Sequence, residues 1–301
     1  MNIVGHKKIW FAISIILVGA ALVSVALFRF NAGTEFTGGT LWEFTVPGQS
    51  LSVGEVQREF TTGLKIADAN VEYDTTNHSF LVTFAALNEA QHQTNLSSLK
   101  AVWPSLTELS FQSISPSVGQ SLLQSSIIAM ILVLVGISLY IAFAFRKASR
   151  PISSWKYGWI TLLTLFHDVS IPAGMLALLG HFRGVQITSD TIVALLVVMG
   201  FSVHDTIVVF DRIRENLLNY RGKEPFPQIV NDSVNQTLAR SINTSLTLIL
   251  VLLALYFAGP ADLQYFVLTL LVGVITGIYS SIFIASPALV IVSPKEEKAK
   301  A

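Results

Sequence analysis

The 301-residue chain is 52% hydrophobic and only 13% charged, with zero formal net charge and a mean hydropathy of +0.60. A soluble domain usually carries about 25% charged residues, so the composition excludes an ordinary soluble protein and describes a polytopic membrane protein. The balanced charge implies no nucleic-acid partner, and the absence of cysteine excludes disulfides and thiolate metal sites without fixing the compartment.

Six stretches reach the ~20 apolar residues that a bilayer crossing requires. They lie near Ile9–Phe28, Leu122–Phe145, Tyr157–Leu179, Thr188–Phe210, Ser241–Ala258 and Tyr265–Val292. The first follows Lys7-Lys8 but is longer than the h-region of a cleaved signal peptide and has no clean A-x-A site after it, so it reads as an uncleaved signal anchor. The last is long and is expected to tilt or kink near Ser286-Pro287. Basic residues set the orientation. His6, Lys7, Lys8, then Arg146, Lys147, Arg150, Lys156, then Arg212, Arg214, Arg221, Lys223, Arg240, and finally Lys295, Lys298, Lys300 fall on one side. Only Arg29, Arg58, Lys65, Lys100 and Arg183 fall on the other, so both termini are expected to be cytoplasmic. Trp155, Tyr157 and Trp159 suit an aromatic belt at the inner interface. The expected division is residues 1–28 (tail and first helix), 29–120 (an extracytoplasmic domain), 121–292 (the remaining helices, with a cytoplasmic loop at 211–240) and 293–301 (a cytoplasmic tail).

The extracytoplasmic segment reads as a small α+β domain. Thr40–Val46, Asn70–Tyr73, Ser79–Ala85 and Leu106–Ile114 are strand-like, with Asp74–His78 as a hairpin loop. Ser52-x-x-Glu55 and Asn88-x-x-Gln91 are capping signatures that open two helices. The resulting β-α-β-β-α-β order is that of the ferredoxin-like motif. No catalytic constellation is visible in it, and His78 and His92 read as solvated surface residues. Gly38-Gly39 marks a tight turn from helix into strand.

Two acidic residues stand inside apolar runs, each preceded by histidine: His167-Asp168 in the third stretch and His204-Asp205 in the fourth. A carboxylate near the bilayer centre costs roughly 2.5–3.5 kcal/mol on insertion scales. Asp205 is either a hydrogen-bond or ion-pair anchor between helices or an ion-handling group. Intramembrane ionisable residues by default mark ion pathways, which favours the second reading. The third and fourth stretches are joined by about eight residues, so they form an antiparallel hairpin. A metal site from the two His-Asp pairs is disfavoured, because adjacent helical residues point about 100° apart. Pro172 is a possible kink. Asp205 shares a helix face with Phe201, Val198 and Ala194. The fifth stretch opens with the polar residues Arg240, Ser241, Asn243, Thr244, Ser245 and Thr247; Arg240 either snorkels to the interface or meets a carboxylate of the fourth helix. Gly273, Gly277, Ser281 and Ala285 form a small-xxx-small stripe for close helix packing. The connector Arg212–Ala239 is amphipathic, is broken at Glu224-Pro225-Phe226-Pro227, and is expected along the inner leaflet.

Val208–Asn216 (VVFDRIREN) preceded by Asp205-Thr206, Phe36–Thr40 (FTGGT), His167-Asp168 and Gln236–Ser241 (QTLARS) followed by Thr244-Ser245 together carry a resemblance. The chain resembles the SecF family of protein-translocase subunits, within the SecD/SecF family of the RND superfamily. The similarity covers nearly the whole length. His204 stands where the family usually has Asn, Glu35 where it usually has Asp, and Gln120 where it usually has Pro. The resemblance implies an RND-type half of six helices and a heterodimer with SecD. It further implies association with the Sec translocation channel and its small accessory subunits, and contact of the extracytoplasmic domain with the translocating preprotein. It places the protein in the bacterial cytoplasmic (inner) membrane, with a proton or sodium gradient driving late export. By the family motif, Asp205 and Arg240 match positions implicated in ion coupling, with Asp168 a further candidate and His204 a titratable neighbour. No cofactor is implied beyond H⁺ or Na⁺ as coupling ion. The competing readings are an RND-type exporter of small molecules or lipids and a scaffold without transport. An intramembrane enzyme has neither a Ser/His pair nor metal-ligand spacing to support it.

Overall fold

The computed structural model describes residues 1–75, 77–146, 152–220, 223–260 and 263–294. Lys147, Arg150, Arg221 and the tail lysines Lys295, Lys298 and Lys300 lie outside the described residues. In chain order the elements are α1 (Lys7–Phe28), the single turn α2 (Thr34–Thr37), β1 (Gly39–Thr45), α3 (Val53–Arg58), β2 (Asn70–Asp74), β3 (Ser79–Phe84), α4 (Glu89–Val102), β4 (Thr107–Ile114), α5 (Pro116–Ala144), α6 (Ser154–Arg183), α7 (Ser189–Tyr220), α8 (Phe226–Ala258), α9 (Gln264–Ser280) and α10 (Ser286–Val292). The chain divides into two compact units, Ala32–Ile127 and the remainder.

The Ala32–Ile127 unit is built on an antiparallel sheet of order β2-β3-β1-β4, the ferredoxin-like arrangement. Alternate residues of β1 and β3 are buried, so Trp42, Phe44, Phe80, Val82 and Phe84 line one face. Val56 and Phe60 from the α3 segment and Leu99 from α4 complete that core. Both helices open on complete capping boxes, Ser52 with Glu55 and Asn88 with Gln91. The exposed Glu55 carboxyl is held below its ordinary pKa chiefly by the Ser52 backbone N–H. A lowered folded-state pKa means that the cap contributes above the unfolded value and is lost as pH falls through the folded one. At the unit's edge Gly38 (φ +75°) and Gly39 (φ +137°) make the expected turn; a Cβ on Gly38 would lie 2.6 Å from the Pro116 Cα.

The reading of His92 as a surface residue is corrected. It is 4% exposed, its Nε2 lies 2.7 Å from Glu108 Oε2, and its ring stacks on Phe111 at 3.6 Å. Trp42 Nε1 donates to the same Glu108 oxygen at 3.0 Å. A short polar helix face concealed this, because the apolar side of His92 is presented to the sheet. His78, by contrast, is exposed at the hairpin loop.

Among the described residues six helices are long and apolar enough to cross a membrane: Val4–Phe28, Pro116–Ala144, Ser154–Arg183, Ser189–Tyr220, Phe226–Ala258 and Gln264–Val292. Their close approaches fall where side chains are small. A Cβ on Gly174 of α6 would overlap Ala21 of α1, and one on Gly273 of α9 would overlap Val198 of α7. Overpacking typically costs about 1–3 kcal/mol. Gly174→Ala is therefore expected to lower the Tm in detergent, whereas Gly136→Ala, with nothing within 4 Å of the new methyl, is expected to leave it unchanged or raise it.

Several local expectations are revised. Tyr157 is not part of an aromatic belt: it is fully buried, stacked on Phe145 at 5.2 Å and edge-on to Phe210 at 5.1 Å, while Trp155 and Trp159 remain exposed. The segment 211–240 is not a separate surface loop. α7 continues as far as Tyr220 and α8 starts at Phe226, so the connector is mostly helical extension of two spans. α6 runs unbroken through Pro172. In the last span the irregularity precedes the proline, as a π-helical turn at Ser281–Ala285.

Candidate functional site

Asp168 sits in the middle of α6 with no solvent exposure. His167 Nδ1 lies at hydrogen-bond distance from its Oδ1, 2.8 Å. Its Oδ2 accepts from the hydroxyls of Ser202 on α7 and of Ser280 on α9, the latter at 2.6 Å. Thr276 Oγ1 reaches the Asp168 carbonyl at 3.4 Å. One carboxyl thus ties three helices together through hydroxyls, with no lysine or arginine beside it among the described residues. Outward from this knot, the His167 ring faces Tyr279 at 6.0 Å, and the Tyr279 hydroxyl donates to the Trp10 carbonyl of α1 at 2.8 Å.

Asp205 lies three residues beyond Ser202, about 4.5 Å further along α7. It is therefore displaced from the Asp168 level toward the charged end of that helix, as its place in the sequence suggests. Its side chain is 10% exposed. Ser245 Oγ of α8 donates to Oδ2 at 3.1 Å, and His204 Nδ1 lies 3.7 Å from Oδ1 with 62% of the His204 side chain exposed. Ala194 and Val198 are buried on the same face as Asp205, as expected from the spacing, but Phe201 is turned outward at 42% exposure. Arg240 is exposed and forms no ion pair with Asp205 or any other carboxylate among the described residues. The alternative in which it pairs with Asp205 is not realised in this conformation.

What surrounds Asp205 is as telling as its contacts. On α8, Gln236, Arg240, Asn243, Thr244 and Thr247 are exposed and recur at three- and four-residue spacing, so they form one polar stripe. On α7, Gly200, Phe201 and His204 are exposed beside it. Hydrocarbon gives such groups no hydrogen-bond partner, so this face requires protein or water against it. A neutral carboxyl and a carboxylate can both be held by Ser245, since a hydroxyl donates or accepts, and the His204 ring stands 3.7 Å away. The arrangement can therefore take up and release a proton without breaking a permanent ion pair.

The four candidates from the sequence are thus split. Asp205 and His204 are adjacent at the edge of the polar face, Arg240 stands on that face with no carboxylate partner among the described residues, and Asp168 is enclosed elsewhere in the bundle. The hydroxyls of Ser202 and Ser280 were missed. Their only signal is a hydroxyl residue within an apolar run, Ser280 standing next to the small-residue stripe that includes Ser281.

Residues 94–295 match the family model for the protein export membrane protein SecD/SecF, C-terminal. The protein translocase subunit SecF of Thermobaculum terrenum is 40% identical over 96% of this chain and 93% of its own length. SecF of Anaerolinea thermophila is 34% identical over 97% of this chain and 94% of its own. The crystal structure of SecDF, a translocon-associated membrane protein from Thermus thermophilus, is 34% identical and superposes with a TM-score of 0.79 over 97% of this chain. This chain spans 38% of that longer one.

Proposed function

The chain belongs to the SecD/SecF protein-export family, and from that premise we propose that it is the six-helix half of an ion-driven accessory complex of the Sec translocase. With a SecD partner it uses a proton or sodium gradient to drive late movement of preproteins across the bacterial cytoplasmic membrane. The observation that carries this reading is Asp205: a buried carboxyl in a membrane span, held by one hydroxyl with a histidine ring 3.7 Å away, at the edge of a polar face and free of any permanent cation among the described residues. Asp205 loads and releases the ion. His204 tunes it, and Arg240 alternates between the open face and the vicinity of the carboxyl. Asp168 acts in the same circuit at greater depth.

The polar stripe of α8, with His204 of α7 at its edge, supports a SecD-type helical bundle as the occupant of that face, and the fusion of both parts in the SecDF relative supports the pairing. Two further parts of the reading come from the positive-inside count: both termini are cytoplasmic, and the α+β domain faces outward, where it meets the preprotein. Ion movement through the bundle drives that domain, and the Sec channel and its small accessory subunits receive the force. No catalytic chemistry is assigned; the coupling ion is the only ligand required.

The test is preprotein export into inverted membrane vesicles with and without an imposed gradient. Arg240→Leu is expected to remove the gradient-dependent component of export while the protein still assembles with its partner. Unchanged gradient dependence would refute the assignment.

A further inference from the structure

On the side of the bundle that the ion-coupling reading does not use, a groove of about 490 Å³ runs along α6 beside the end of α10. Lys156, Trp159, Ile160, Leu162, Leu163 and Val292 line it. Below Lys156 the lining is wholly apolar, and Trp159 and Leu163 are exposed at 69% and 54%. From Lys156 to Leu163 the groove follows α6 for about 10 Å. Phe166 and Trp155 continue the exposed face in both directions. This face contrasts with the α7/α8 face: it carries no polar residue at depth, so hydrocarbon rather than protein or water suits it.

The open end of the groove is cationic. Lys156 lies in the first turn of α6, and one of its three donors is spent on the Val292 carbonyl at 2.7 Å. Among the described residues the remaining two meet no acceptor. The first turn of α6 holds no acidic residue and its N-cap Ser153 makes no side-chain cap bond, so the positive end of the helix dipole adds to the same potential. Trp155 and Trp159 are suited to the headgroup level, where one side of the ring is dry and the other wet.

The geometry points to a specific site for one anionic phospholipid: its acyl chain lies in the α6/α10 groove and its phosphate is held by Lys156 at the start of α6. A zwitterionic lipid fills the same groove but gains less from the lysine. A juxtamembrane lysine contributes enough to favour an anionic over a zwitterionic headgroup by about five-fold. The site is independent of ion coupling, so its failure would leave that reading untouched.

Native mass spectrometry of the full-length protein with added phosphatidylglycerol or phosphatidylcholine tests it. Wild type is expected to retain phosphatidylglycerol about five-fold better. Lys156→Gln keeps a donor for the Val292 carbonyl and is expected to abolish that preference without changing phosphatidylcholine retention. Lys156→Arg is expected to restore it. Lys8→Gln, an exposed basic residue on α1, is the control and is expected to have no effect. Equal retention of the two lipids by wild type, a preference that survives Lys156→Gln, or one lost with Lys8→Gln would each overturn the site.

Discussion

Asp205→Asn is expected to abolish the gradient-dependent component of protein export while the protein accumulates and assembles at wild-type level. The amide has the size of the carboxyl and still accepts from Ser245, whose hydroxyl lies 3.1 Å from Oδ2. What it cannot do is take up a proton or a sodium ion. One elementary charge crossing 100 mV releases about 2.3 kcal/mol, enough to shift a two-state equilibrium roughly 50-fold. A conformational step of that size is all that is needed to move an external domain between two positions. Asp205→Glu restores the ionisable group on a longer arm and is expected to recover part of the gradient dependence. The measurement is the rate of export with and without an imposed gradient, alongside the amount of protein in the membrane.

Asp168→Ala is expected to fail earlier, in folding. The substitution removes the acceptor shared by His167, Ser202 and Ser280 in a fully buried position at the meeting of α6, α7 and α9. Buried donors left unpaired cost about 1–3 kcal/mol each, so the total loss is roughly 2–5 kcal/mol after relaxation. Lower yield and a lower Tm in detergent are the expected readouts. Asp168→Asn, which preserves an acceptor for two hydroxyls, is expected to recover much of the Tm. Gradient dependence in that variant then separates the two roles of Asp168: a group that only ties helices together would leave it intact, and a group in the ion circuit would not. Asp205, tied by a single hydroxyl, offers no comparable loss of stability, and this asymmetry is what allows the two variants to be compared.

Much of the fold could be read from the residues, and the reasons are local. Long apolar runs can do little else in a bilayer, so all six spans emerged, but their helices run past the apolar stretches, α7 on to Tyr220 instead of Phe210 and α8 from Phe226 instead of Ser241. The two capping boxes at Ser52 and Asn88 and the alternation in β1 and β3 each depend on nearest neighbours in the chain, and the sheet followed from them. Failures came where partners distant in sequence decide. His92 looks solvated until β4 supplies Glu108 and Phe111, and Tyr157 looks like a belt residue until Phe145, just past the end of α5, and Phe210 of α7 close on it. Asp205 and Asp168 announced themselves by the cost of an acid in an apolar run. Their serine partners did not, because a hydroxyl is cheap in a helix, where it can bond its own backbone, and only packing reveals that Ser202, Ser280 and Ser245 are aimed at carboxyls. Arg240 could be placed on α8 but not oriented, since a long side chain at a helix edge reaches either water or a buried partner.

In the proposed function Asp205 binds and releases a cation during turnover. The most direct measurement is ion entry into liposomes containing the chain with its SecD-type partner, followed by an internal pH or sodium indicator after a gradient is imposed. Wild type is expected to admit the ion faster than empty liposomes, and Asp205→Asn is expected to fall to the leak rate with Ser245→Ala between them. Ion entry through Asp205→Asn at the wild-type rate would contradict it.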